Sequence, residues 1–244
     1  MRPDRTQDRL NVSFEKSLLE RGSSGMRMHS IKKTPCVALI ETLLPAYGPC
    51  VGFDSACRNM RWEPKNGHVP RGFCGALGHP SEVELVLVIA EPGDPHQRES
   101  YPAELSREEL FEQVCCYVYS CFESGKDQFH RNVRYILDSC WPDSSFHEQM
   151  HRAWITEATL CSALAECGTV ATATSRLCSK SYLSMQLELL PNAIVVALGA
   201  KARDRMLHLG IDFTAAWAAA PPGCNQPAAK QSWDSVAAQV LSRR

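Results

Sequence analysis

The sequence predicts an α/β fold: a three-layer α/β/α sandwich around a central, mostly parallel sheet. Two observations carry this. Apolar runs at 83–90 and 193–198 each stop at turn-forming residues, the first at Glu91-Pro92-Gly93 and the second at Gly199. Such runs suit strands buried on both faces. Between them lie stretches with helical spacing, and alternation of strand with helix implies a parallel sheet covered on both sides.

Taken in order, residues 1–30 are charged and contain Arg21-Gly22-Ser23-Ser24-Gly25, which reads as a mobile arm with helical character around 12–20. Residues 31–244 form one domain. The spacing predicts a helix within 36–52, a long Gly- and Pro-rich loop over 58–82, a strand over 83–90 and helices over 105–124 and 128–140. A second strand falls at 153–158, a helix at 176–190, a third strand at 193–198 and a helix from Lys201. A weak strand at 214–218 precedes the chain-breaking Pro221-Pro222-Gly223, and a last helix covers 232–242. In open parallel sheets ligands bind at the carboxyl ends of the strands. Glu91, Glu157, Gly199 and the loop 221–225 fall at those ends.

The chain has 244 residues, 44% of them hydrophobic, with a formal net charge of -1. That suffices for one good core and argues against a protein that coats nucleic acid, while leaving room for a local basic cleft. No apolar run approaches the ~20 residues of a membrane span. The polar N-terminus lacks the apolar segment of a secretory signal. The expectation is an intracellular, bacterial-type cytoplasmic protein without membrane contact, monomeric, with reduced thiols despite 12 cysteines.

Several segments together carry a resemblance. They are Trp62-Glu63-Pro64, Val69-Pro70-Arg71 ahead of Cys74, Glu91-Pro92-Gly93, Thr156-Glu157-Ala158 with Leu160-Cys161, Leu198-Gly199-Ala200-Lys201-Ala202, and Pro221-Pro222-Gly223-Cys224-Asn225-Gln226-Pro227 with Lys230 and Trp233-Asp234. In this order and spacing, over 60–240, they resemble the uracil-DNA glycosylase superfamily, most closely its single-strand-selective monofunctional branch. The resemblance implies that family's fold and an enzyme, a DNA N-glycosylase, with DNA as partner.

It also implies roles. Glycosidic cleavage builds positive charge on the sugar, which a carboxylate stabilises. Glu91 stands where the family has its catalytic Asp or Asn; the alternative is a strand-end Glu that caps a helix or pairs with an Arg. Pro92 and Gly93 complete that turn. Gly93 leaves room beside C5 of a pyrimidine where uracil enzymes place a Tyr.

Glu157 replaces the family's Asn. A carboxylate accepts hydrogen bonds only, which suits the N4 amino group of cytosine, and a protonated carboxyl could also donate to N3. The alternative is a Glu that faces away. Ala220 and Pro222 stand where the family has its His and Ser, so the departing base needs another helper, or the protein binds without cutting. His96 is a candidate helper or a surface histidine. Arg71, Lys201 and Arg203 are candidate phosphate contacts. Cys224, Asn225 and Gln226 lie on the loop that would fill the gap left by a flipped base.

No cofactor is expected. Some branches of the superfamily hold a four-iron cluster on four Cys, and Cys161 and Cys178 fall where two would be. The N-terminal Cys-x-x-Cys is missing, with Cys50, Cys57 and Cys74 widely spaced, so buried free thiols are the preferred reading and the cluster the alternative.

The resulting expectation is a monofunctional glycosylase that excises a modified cytosine-type base, as does a phage-defence member of the superfamily acting on glucosylated hydroxymethylcytosine. The alternatives are a repair enzyme for uracil or oxidised pyrimidines and a DNA-binding module without catalysis. A lyase step through lysine is not expected.

Overall fold

The computed structural model describes residues 32–50, 52–166 and 168–243. The predicted arm at 1–30 lies outside them. The fold is mixed α/β, with helices around a five-stranded, mostly parallel sheet. Strands are β1 (Cys74–Gly75), β2 (Leu85–Ile89), β3 (Ala153–Glu157), β4 (Ile194–Leu198) and β5 (Thr214–Ala216). Helices are α1 (Val37–Leu43), α2 (Arg107–Ser124), α3 (Gln128–Cys140), α4 (Phe146–Arg152), α5 (Thr172–Cys178), α6 (Ser184–Glu188), α7 (Ala200–Leu209) and α8 (Ala229–Leu241).

The sheet order is β1-β3-β2-β4-β5. β2 lies at its centre, parallel to β3 and β4, with Leu87 opposite both Ile155 and Val196. β3 is buried at every residue, β2 at four of five and β4 at four of five. Since successive side chains point to opposite faces, burial along the whole strand means that both faces are covered. Truncating a fully buried side chain such as Leu87 to alanine would cost about 2–5 kcal/mol.

Helix boundaries follow capping chemistry. Ser106 with Glu109, and Ser145 with Glu148, form reciprocal capping boxes at the starts of α2 and α4. Asp127 caps α3 by accepting from the His130 amide at 3.0 Å. Gly125 ends α2 in the left-handed conformation at φ 59°.

The structure differs from the sequence reading at three places. The 58–82 loop contains β1, which pairs antiparallel to β3 through Cys74 and Ile155. Two residues are too short for any alternation to reveal. α4 was missed because its seven residues lie inside a short polar stretch before β3. The helix expected over 176–190 begins at Thr172 and widens to π-type turns over Ser179–Leu183. There the Gln186 side chain turns inward. Its Oε1 accepts from Trp154 Nε1 at 3.0 Å and from Thr156 Oγ1 at 2.7 Å, tying the helix to β3.

Candidate functional site

The chain leaves β2 towards β3 on one side of the sheet and returns to β4 on the other. That reversal is the topological switch point at which open α/β sheets form a ligand crevice, at the carboxyl ends of β2 and β4. Glu91 follows β2 into this crevice. Gly199 follows β4 at φ 92°, a conformation that favours glycine. Its amide donates to Ala216 O at 2.8 Å, and a Cβ here would stand 2.8 Å from the Ala218 Cβ. The bare backbone therefore lets the loop after β5 close over the start of α7.

Glu91 does not cap a helix, but it does pair with an arginine, as the alternative reading of this residue has it. Lys201 Nζ lies 2.6 Å from its Oε1, and Arg205 makes an ion-pair contact with Oε2, which has no aligned hydrogen bond. Arg205 also donates to Ala90 O. One turn apart on α7, these two cations span the crevice from the β4 side to the β2 side. Lys201 additionally donates to Gly168 O at 3.2 Å. Arg205, buried on α7, was missed from sequence, where Lys201 and Arg203 drew attention as the charges nearest the helix start. Arg203 instead points away and pairs with its neighbour Asp204 at 3.1 Å.

Glu157 ends β3, next to the exit of β2: Ala158 N donates to Ile89 O and Thr159 N to Ala90 O. Its side chain faces inward and is 3% exposed. Oε2 has no hydrogen-bond partner. Gly72, at φ 90°, lies directly against the carboxyl; a Cβ there would be 2.5 Å from Oε1. Burial pushes the Glu157 carboxyl well above the usual carboxylate range, and the Glu91 charge pushes it further, while Arg205 and Arg71 oppose. The shift favours the protonated form, which can donate one hydrogen bond and accept others.

Arg71 requires a correction. The phosphate role needs an exposed guanidinium, whereas Arg71 is 6% exposed. It donates to Gly67 O at 2.9 Å and to Gly93 O, and lies 3.7 Å from the buried Glu99 carboxylate. It pins the Glu91-Pro92-Gly93 turn from behind. Ser162 Oγ donates to the same Gly93 carbonyl at 3.2 Å. Pro92 is buried beneath the turn, while Gly93 is exposed, and a Cβ on it would meet only Glu166 Oε1 at 3.6 Å. Space beside Gly93 is open.

A cavity of about 870 Å³ adjoins the crevice between the α5 region and α7. Arg176, Lys180, Lys201 and Arg205 line it, with Asp204 as its acidic member. Its size falls within the range of small-molecule sites.

The remaining predicted residues lie around this centre. His96 is one third exposed, 3.4 Å from the Asp127 carboxylate and beside His130. Burial lowers its imidazole below the ordinary value. Cys224 and Asn225 sit in a short 3-10 turn, Gly223–Asn225, after the cis Pro221-Pro222 bond, and Gln226 follows in extended backbone. The Asn225 side chain accepts from Gln128 Nε2 at 3.2 Å. The tip of this loop is thus held by α3.

The cysteines are also redistributed. Cys50 and Cys57 lie near Cys161 and Cys178: Cys57 interacts electrostatically with the other three thiols, and Cys161 and Cys178 each with Cys50. A hydrogen bond with Cys57 pulls Cys50 down to about 6, whereas burial raises Cys161 and pushes Cys178 up to about 11. Cys50 and Cys57, at a Cys-x6-Cys spacing, are thus the thiols that neighbour Cys161 and Cys178.

Fold and site together define a mixed α/β protein with a polar crevice at the carboxyl ends of its central parallel strands. A scan against protein-family models and a search of curated proteins each find no match to the chain. Among the described residues no helix is long and apolar enough to cross a membrane.

Proposed function

We propose that the chain is a DNA glycosylase on a uracil-DNA glycosylase-like fold, which flips a cytosine-type base and hydrolyses its glycosidic bond to leave an abasic site. The observation that carries this reading is the buried, unpartnered Oε2 of Glu157 beside Glu91. An unpaired polar atom inside a protein costs stability unless a water, an ion or a ligand satisfies it. A neutral carboxyl offers an acceptor for the cytosine N4 amino group and a donor for N3; turned over, it offers a donor to O4 and an acceptor for N3–H of uracil, so the choice of a cytosine-type base rests on the carboxylate form, which only accepts.

In this reading Glu91 stabilises the positive charge that develops on the sugar and orients the attacking water. Lys201 and Arg205 position it. Lys201 is about half exposed and can swing aside as DNA enters, while Arg205 stays buried against the strand end. Gly93 leaves open space that a substituent on C5 of the base could occupy, which supports a C5-modified cytosine as substrate. The four thiols are the ligand complement that an iron–sulfur cluster takes. Held there, a cluster would anchor the segment around Cys50 and Cys57 to the loop after β3.

A second reading has its own support. Both Glu91 oxygens face cations, and Ala220 brings no imidazole to the leaving base, an arrangement compatible with binding DNA without cutting it.

Incubation of duplex and single-stranded oligonucleotides carrying uracil, cytosine, hydroxymethylcytosine or its glucosylated form separates these readings. Alkali-labile cleavage at the modified cytosine alone supports the proposal. Cleavage at uracil alone makes it a repair enzyme, and salt-sensitive binding without any abasic product makes it a binding module.

A further inference from the structure

His96, Asp127 and His130 come from two segments with no sequence motif in common, yet one ligand atom of each lies within 4.8 Å of the other two. His96 follows the Glu91-Pro92-Gly93 turn. Asp127 caps α3, and His130 sits on its first turn. Distances are 3.4 Å from His96 Nε2 and 2.9 Å from His130 Nδ1 to the same oxygen, Asp127 Oδ2.

The contacts are close but poorly satisfied. His130 Nδ1 is buried and makes no aligned hydrogen bond, despite its approach to the carboxylate. Asp127 is oriented from behind, since its other oxygen accepts the His130 amide at 3.0 Å. Phe122 and Phe129 pack edge-on against the His130 ring and fix it. His96 and Asp127 remain one third or more exposed, so one side of the triad is open to water.

We infer that His96, Asp127 and His130 form a binding site for a divalent transition-metal ion, with Zn²⁺ the best chemical fit. Two imidazoles and one carboxylate are the donor set that zinc takes with three protein ligands, a fourth position being left to water. Convergence without aligned hydrogen bonds is what a shared cation resolves, because each lone pair then points at the ion rather than at another acceptor. The orienting bond on Asp127 and the aromatic clamp on His130 supply the outer support such ligands need.

The position gives the ion a task. α3 already holds the loop after β5, through Gln128 to Asn225 and through Asn132 Nδ2 to Ala219 O at 2.8 Å. A metal on Asp127 and His130 adds His96, and with it the segment that follows Glu91. Both loops that flank the crevice are then fastened to one helix end. This role does not depend on which reaction the crevice performs.

The test uses the full chain, stripped of metal with a chelator and titrated with Co²⁺ and Zn²⁺. Comparison proteins are His96→Ala, Asp127→Asn and Cys161→Ser. Asn remains a good helix cap, so Asp127→Asn keeps α3 folded while weakening the site. One equivalent bound by the parent and by Cys161→Ser, but lost from both triad variants, supports the site. Its cobalt spectrum should show ligand-field bands without thiolate charge transfer, and zinc should raise Tm in the parent and not in the triad variants. Failure to bind either ion, equal uptake by the triad variants, or a thiolate-dominated spectrum lost in Cys161→Ser overturns it.

Discussion

Glu91 and Glu157 stand at the carboxyl ends of adjacent parallel strands, and their carboxyl groups live in opposite environments. Glu91 faces Lys201 and Arg205, whereas Glu157 is sealed beneath Gly72 with one oxygen unpartnered. Two carboxyls a strand apart with environments this different are suited to different tasks. The predictions below follow from that division.

Glu157 sets a pH dependence. Its folded pKa lies above its unfolded value, raised by burial and by Glu91 and opposed by Arg205 and Arg71. Between the two values the folded chain holds a proton that the unfolded chain has released, so stability falls as pH rises through that window. Glu157→Gln removes this slope. It is expected to match the parent at acid pH and to be about 1–3 kcal/mol more stable at alkaline pH, measured by urea denaturation across pH. If the glycosylase proposal holds, Glu157→Ala loses base excision, and Glu157→Gln keeps it only where the carboxyl reads the base in its neutral form.

The two cations on Glu91 are unequal. Arg205 is buried and Lys201 is half exposed. Arg205→Ala leaves Glu91 and the Ala90 carbonyl without their partner and should cost roughly 3–5 kcal/mol. Lys201→Ala should cost less than about 1 kcal/mol. Equal losses in denaturation experiments would contradict the geometry. If the glycosylase proposal holds, Glu91→Gln should lower the excision rate by roughly 10²–10³-fold.

Gly72→Ala forces a left-handed backbone on a residue with a side chain and drives its Cβ into the Glu157 carboxyl. A loss of about 1–3 kcal/mol is expected. Combined with Glu157→Ala, the steric part of the loss should disappear and the backbone part remain. A double-mutant cycle reads the difference, and strict additivity would show that the two residues do not touch.

If the chain binds DNA as proposed, Arg71 and Lys180 should separate stability from nucleic-acid affinity. Arg71→Gln breaks bonds to Gly67 and Gly93, so Tm should fall while the salt dependence of oligonucleotide binding stays unchanged. Lys180→Gln, at the wall of the cavity, should leave Tm nearly unaltered. If DNA phosphates pass there, it reduces the salt slope by about 1.

The sequence by itself determined the class of fold and the placement of three main strands. Their apolar runs are local, and burial on both faces leaves no polar residue to interrupt them. It also put Glu91 and Glu157 at strand ends, because a charged residue closing an apolar run marks the point where the chain leaves the sheet. Tertiary structure decided the rest. Arg71 reads as a surface cation until the turn at Gly93 folds over it. Arg205, not Arg203, reaches Glu91 because the helical turn from Lys201 carries it back over the strand end. Cys50 and Cys57 meet Cys161 and Cys178, and His96 meets Asp127 and His130, only after segments separated by tens of residues are brought together by sheet register. Hydrophobic periodicity encodes which face of an element is buried; it does not encode which polar groups from distant elements then converge, and the chemistry of this crevice depends on that convergence.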